Sequence, residues 1–190
     1  MQTITDSNLS FSEAIKSKQD IPFPESVTDF LEILTVDYIC FDDSQRTGQI
    51  VIHKNLKQDV IGFFTMAKDI NFPIFKVQPA VLYDWDDQVL MDKNISSGFN
   101  YRKIAGTDLL SAHSLGRAID INPRTNPYFR FTNNKEIVEP LGAIYDPKIR
   151  GALYAGHELV EYMKSLGWEW GGDWTRESGR IDYQHFEKRI

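Results

Sequence analysis

The sequence predicts an α+β domain, a mostly antiparallel sheet with helices packed on it, and three observations carry that expectation. Two β-rich runs, VDYICFD and GQIVIHK, flank the polar, glycine-containing DSQRTG, which is the pattern of a hairpin. Two stretches with helical spacing, Asn55 to Ile70 and Arg150 to Leu166, are set apart from each other. Strands and helices nowhere alternate as regular βαβ units, which argues against a doubly wound parallel sheet. With 190 residues the chain suits one domain. A domain of this size buries roughly 70% of its unfolded surface without help from disulfides.

Taken in order, residues 1–25 are polar and end in IPFPES, whose two prolines disfavour regular structure. They are expected to form a leader, loosely ordered or wrapped on a domain spanning 26–190. The hairpin follows, with Cys40 as a small buried hydrophobe and His53 closing the second strand as a structural or exposed residue. Leu56, Val60, Phe63, Ala67 and Ile70 then recur at spacings that place them on one helical face, so this helix packs on the sheet. FPIFKVQPAVLYDW has strand character interrupted by Pro79, and DWDDQVLMDKN is a polar connection in which Asp84, Asp86 and Asp87 read as a solvated loop rather than a second metal site.

AIDIN reads as a short strand, followed by the long, turn-rich insertion RTNPYFRFTNNKEIVEPLGAIYDP, of the kind that borders binding sites. Leu153, His157, Val160, Tyr162 and Met163 suggest a helix ended by Gly167, with His157 inside it. WEW and RIDYQHFE have strand composition and are joined through GGDWTRESGR, where Gly171 and Gly172 permit a sharp turn. Trp168 is expected in the core, Trp170 and Trp174 fit either the core or a substrate groove, and Tyr183 and Phe186 are packing residues.

Composition removes several functions. Net charge is −6 and no Lys/Arg run stands out, so the electrostatic footprint of a nucleic-acid binder is missing. A single cysteine allows neither an intrachain disulfide nor a Cys-rich zinc site. No apolar run is long enough to span a membrane, and MQTITDSNLSFSEAIKSKQD lacks the basic and then hydrophobic order of a secretory signal.

The chemistry concentrates in SAHSLGRAIDINP, Ser111 to Pro123, and in DYQHFE near the end. His113, Asp120 and His185 are two imidazoles and a carboxylate, a set that holds one catalytic zinc ion with a fourth position open to water. Ser111, His113, Gly116, Ala118 and Asp120 fit S-x-H-x-x-G-x-A-x-D, and Asp182 precedes His185 by three residues in D-x-x-H-F. Both halves resemble the signature of the zinc D,D-carboxypeptidase family, which includes vancomycin-resistance D-alanyl-D-alanine peptidases and phage L-alanyl-D-glutamate endopeptidases. The resemblance covers roughly Gly48 to Phe186, with SSGFNYR before the first motif and GWEWGGDW before the second. One departure stands out: carboxypeptidase and dipeptidase members carry Glu three residues before the last His, and Asp182 looks more like the endopeptidase branch.

The resemblance implies a D,D-peptidase-like, hedgehog-like version of the α+β fold. It also implies a zinc peptidase acting as a monomer on peptidoglycan stem peptides or muropeptides, in the cell wall or periplasm, by a route the chain does not declare. Asp182 would be the proton acceptor. Arg102 would face either the developing oxyanion or a substrate carboxylate. Ser111 would bind substrate, orient a ligand or simply form a turn, and Trp170 would line the groove. Gly116 and Ala118 have a plainer reason, since small residues let the His-bearing loop approach the sheet. Residues three apart on an ideal strand face opposite sides, so Asp182 and His185 can share a cleft only if the chain breaks at Asp182 to Tyr183. The rival reading is a zinc-containing binding module of the same fold without hydrolysis.

Overall fold

The computed structural model describes residues 3–17, 23–104, 107–132 and 135–190. Helices and strands are mixed within one domain, as expected, but the single, mostly antiparallel sheet is not found. Among the described residues three three-stranded sheets and one two-stranded sheet take its place, and two of the four contain a parallel pair. Short strands interrupted by proline and by turns cannot extend into one continuous sheet.

The leader begins with β1 (Ile4–Thr5), followed by α1 (Phe11–Ala14), which Ser10 and Glu13 close with reciprocal capping hydrogen bonds. Ile21 and Pro22 of IPFPES lie outside the described residues, as do Met1, Gln2 and residues 18–20. After Pro24 a single turn forms, α2 (Glu25–Thr28). The hairpin then pairs β2 (Leu31–Ile39) with β3 (Gln45–His53), Leu31 opposite His53 and Ile39 opposite Gln45. Its connection is Cys40 to Ser44 rather than DSQRTG. The Asp42 carboxylate accepts from the Ser44 N–H and hydroxyl, and Asp43 adopts a positive φ of 60°, which closes the turn earlier. β1 pairs in parallel with β3 at Arg46 and Thr47, making β3 the central strand, and the apolar run from Ile50 to Ile52 is buried on both faces, Ile50 and Ile52 in one core cluster and Val51 in another.

The predicted helix is α3 (Lys57–Asp69), entered through a 3-10 turn at Lys54–Leu56, and it buries Val60, Phe63, Phe64 and Ala67 against the hairpin. FPIFKVQPAVLYDW yields only β4 (Lys76–Val77). Pro79 then starts a 3-10 turn, Ala80–Tyr83, so the expected strand ends there. α4 (Asp87–Asp92) is capped by the Asp86 carboxylate, and β5 (Ile95–Ser96) runs parallel to β4. AIDIN gives β6 (Ala118–Asp120), and the insertion contains an unforeseen hairpin, β7 (Tyr128–Thr132) with β8 (Lys135–Glu139). Asn133 and Asn134 at its tip lie outside the described residues.

The second helix is shorter than its apolar spacing suggested. α5 (Glu158–Ser165) starts after His157, whose Nδ1 accepts from the Leu159 N–H as an N-cap, so His157 stands before the helix and not inside it. Positive φ at Gly151 and Gly156 keeps the chain from turning helical earlier. The chain ends with β9 (Glu169–Trp170), β10 (Arg180–Asp182) and β11 (His185–Glu187). β11 sits between β6 and β9, whereas β10 joins the hairpin sheet beside β7. The main core lies among the β2–β3 hairpin, α3, α5 and the β6–β11–β9 sheet. A second cluster joins leader residues such as Ala14 and Phe23 to Val51 and Phe99. No helix among the described residues is long and apolar enough to cross a membrane.

Candidate metal centre

The register of one strand pair brings two of the three proposed ligands together. β11 runs antiparallel to β6 with His185 directly opposite Asp120, so both side chains leave the sheet on one face. His113 reaches them from a 3-10 turn, Ala112–Leu115, in which the Ser111 hydroxyl accepts from the His113 N–H at 3.3 Å. Ser111 therefore forms the turn and orients the loop, and it also lines the cleft. Gly116 ends the turn at φ 63°, and its carbonyl accepts from His53 N–H at 2.8 Å. A Cβ there would lie 2.7 Å from that nitrogen, so a small residue is required for the loop to dock on β3.

His113 Nε2 lies 3.2 Å from His185 Nδ1 and 3.1 Å from Asp120 Oδ2, and His185 Nδ1 lies 3.0 Å from Asp120 Oδ1. Zinc bonds of about 2.0–2.1 Å at tetrahedral angles separate neighbouring donor atoms by roughly 3.3 Å. The two imidazole nitrogens are close to that spacing, each meets one of the two Asp120 oxygens at a similar distance, and with one ligand atom taken from each residue all lie within 4.8 Å of one another in a buried cluster. The opposite ring nitrogens are already committed. His113 Nδ1 meets the Gly98 carbonyl at 2.6 Å, and His185 Nε2 meets Glu187 Oε2 at 3.0 Å. A proton held on each of those nitrogens leaves Nε2 of His113 and Nδ1 of His185 as lone-pair donors, which is how outer hydrogen bonds fix a ligating imidazole. Gly98 can be offered this way only because its backbone presses on β3, where a Cβ would sit 2.3 Å from the Val51 oxygen.

The charges are strongly coupled. Burial alone would raise the Asp120 carboxyl, but the charges and hydrogen bonds of His113 and His185 outweigh it and hold the group well below the usual carboxylate range. Burial opposes a charged His185, yet hydrogen bonds to Asp120 and Glu187 push it up to about 10. In the metal-free protein the cluster therefore holds protons that a cation must displace. Glu187→Gln removes the charged acceptor on His185 Nε2 and is expected to weaken metal binding about 10–100-fold. Competition against a chromogenic chelator measures this, and an unchanged affinity would separate Glu187 from the site.

β10 ends at Asp182, Tyr183 and Gln184 turn, and β11 starts at His185, so the chain breaks where a shared cleft requires it. Asp182 and His185 both line a cleft of about 290 Å³ with His113, Asp120, Arg102 and Trp174. Burial pushes the Asp182 carboxyl up to about 7, and its Oδ1 is buried with no hydrogen-bond partner. Arg102 pairs with Asp87 at 2.9 Å and keeps a buried Nε without a partner. Its backbone is pinned to the His113 turn by Ser114, whose hydroxyl accepts from Arg102 N–H and donates to Arg102 O. Two residues lining one cleft that each keep a buried polar atom without a partner fit a site that receives a cation, water and substrate.

Trp170 is not on the cleft. It is 2% exposed in the core, with Nε1 donating to the Tyr183 carbonyl, and the tryptophan at the cleft is Trp174. Asp87, expected in a solvated loop, instead lines the cleft as the partner of Arg102, and burial raises its carboxyl against the pull of that arginine. Glu187 was also missed, although its place two residues after His185 in HFE puts it on the same strand face.

A buried pair of imidazoles and a carboxylate at the floor of an open cleft is a donor set able to hold a zinc ion. Residues 105–188 match a family model described as D-alanyl-D-alanine carboxypeptidase, and this match over part of the chain supports the resemblance to the zinc D,D-peptidases carried by its motifs. The matched segment holds both motifs and is narrower than the resemblance read from Gly48 onward, since it begins after Arg102. No curated protein and no solved structure matches the chain.

Proposed function

We propose that the protein is a zinc peptidase that hydrolyses peptide bonds in peptidoglycan stem peptides. One observation carries the reading: a carboxylate held near neutrality, with a buried oxygen lacking any partner, lines the same cleft as the His113, Asp120 and His185 donors. A bound zinc ion would supply Lewis acidity and make water a competent nucleophile near neutral pH. His113, Asp120 and His185 would hold it through Nε2, a carboxylate oxygen and Nδ1. Asp182 would accept the proton of the attacking water and return it to the departing amine, the work for which a carboxylate with a raised pKa is suited. Arg102, fixed by Asp87 and Ser114, would direct its remaining N–H groups at the substrate's carbonyl oxygen or carboxylate. A module that only binds zinc has no use for a buried carboxylate oxygen left without a hydrogen bond, which favours hydrolysis over that alternative.

Asp182 in the place of Glu favours cleavage between L-alanine and D-glutamate over removal of a terminal D-alanine. Digestion of muropeptides by the zinc-loaded protein, followed by mass spectrometry, is expected to release detached stem peptides. Free D-alanine alone would assign the carboxypeptidase activity instead. No hydrolysis of any wall peptide would return the protein to the binding module.

A further inference from the structure

The strand that carries Asp182 presents a second polar group to the cleft. Side chains two apart on a strand share a face, so Arg180 stands on the Asp182 side of β10, roughly 7 Å further along. Register sets Arg180 directly opposite Arg130 of β7. Like charges facing each other across antiparallel strands are destabilising, and the carboxylates of Glu139 and Glu187 offset this pair only from a distance or while engaged elsewhere. Arg130 approaches Glu139 only to 3.8 Å, and its Nε is buried without a partner. The Arg180 guanidinium stacks over Trp174 at 4.2 Å and has no hydrogen-bond or ion-pair partner among the described residues. Glu187, the next carboxylate, feels the Arg180 charge but spends its hydrogen bond on His185.

Trp174 links this pair to the metal centre, because its ring lies 5.4 Å from that of His185. The cavity continues the same way. Tyr128, Arg130, Trp174 and Arg180 line both the cleft at the metal centre and an adjoining groove of about 570 Å³. Extended peptide advances about 3.3–3.6 Å per residue, so the arginines stand about two residues along a bound chain from the centre.

We propose that Arg180 and Arg130 form a carboxylate subsite, which makes the preferred substrate an acidic peptide carrying a free carboxylate about two residues from the cleaved bond. This rests on the peptidase reading and adds the substrate class to it. A stacked arginine keeps its planar edge free, and two guanidinium groups side by side suit a carboxylate, which would also relieve their mutual repulsion.

The test uses L-alanyl-γ-D-glutamyl-L-lysyl-D-alanine and two counterparts, one amidated at the glutamyl α-carboxyl and one at the C-terminus. Binding to the zinc-loaded protein is measured by calorimetry and cleavage by mass spectrometry. Amidation at one of the two positions is expected to weaken binding and raise KM by about tenfold or more, with little change in kcat. Arg180→Gln and Arg130→Gln are expected to lose a similar factor on the free acid and to discriminate against that amide by less than about twofold. Equal binding of acid and amides by the unaltered protein overturns the subsite, as does a preference that survives in both variants or no binding of any peptide. Arginine-dependent preference in binding without cleavage leaves the subsite standing and removes the peptidase reading. Cleavage without preference does the reverse.

Discussion

Asp182→Asn is expected to lower kcat about a hundred- to ten-thousand-fold, the range lost when a positioned proton acceptor is removed, while the zinc content stays that of the unaltered protein. The substitution keeps size and shape but takes away the oxygen that could accept a proton, and it leaves His113, Asp120 and His185 untouched. Metal analysis of the purified variant beside steady-state kinetics separates the two effects. Retention of kcat within about threefold would remove Asp182 from the chemistry, since acid–base catalysis is worth far more. The pH profile gives a second check. Burial raises Asp182 to about 7, so the group loses its accepting form as pH falls through that region, and a bound cation, favouring the ionised form, moves the limb downward. The acid limb of kcat/KM is therefore expected between the ordinary carboxylate range and about 7, and it should vanish in the variant.

The same shift makes Asp182 a cost to the metal-free fold. An acid whose pKa is raised by folding binds more protons folded than unfolded between its two pKa values. Its contribution is then fully favourable below the unfolded value and is lost as pH rises through the folded one. Asp182→Asn should accordingly be at least as stable as the unaltered protein near and above neutral pH when metal is withheld. A stability gain joined to a loss of turnover is the signature of a residue retained for chemistry rather than packing.

How much of this was legible in the sequence depends on range. The cluster of His113, Asp120 and His185 was readable because small residues and fixed spacings surround it, and because a break between Asp182 and His185 is required by strand geometry if they are to share a cleft. α3 was readable from its period, since Val60, Phe63, Phe64 and Ala67 have one face to bury. What pairing decides was not readable. Nothing in RTNPYFRFTNNKEIVEP announces that β7 will accept β10 as a neighbour and so align Arg130 with Arg180. Asp87 lay in an acidic run that looked solvated, and only the long-range approach of Arg102 turns it inward. Trp170 and Trp174 are four residues apart with similar surroundings in sequence. The short strand β9 buries the first, whereas the second follows the 3-10 turn Gly171–Asp173 out to the cleft.

His113→Ala is expected to abolish stoichiometric zinc binding, with the whole activity lost alongside it. His113 would supply one of three protein donors found among the described residues, and the two that remain, Asp120 and His185, already hydrogen-bond each other at 3.0 Å. Without His113, burial acts on Asp120 with one fewer positive partner, so the pair closes on itself instead of holding a cation. The measurement is thermal unfolding with and without zinc, together with metal content after dialysis. A ligand that binds only the folded state adds RT ln(1 + [L]/Kd), about 4 kcal/mol at a thousand times Kd. The unaltered protein should show a gain of that order that a chelator removes, and the variant should show none at the same zinc concentration. Lowering the pH should shrink the gain in the unaltered protein, because cation and protons compete for the same ring nitrogens. A variant that still bound one equivalent of zinc at unchanged affinity would mean that the His113 imidazole, 2% exposed and hydrogen-bonded to the Gly98 carbonyl, is a core residue that merely neighbours a site made by others.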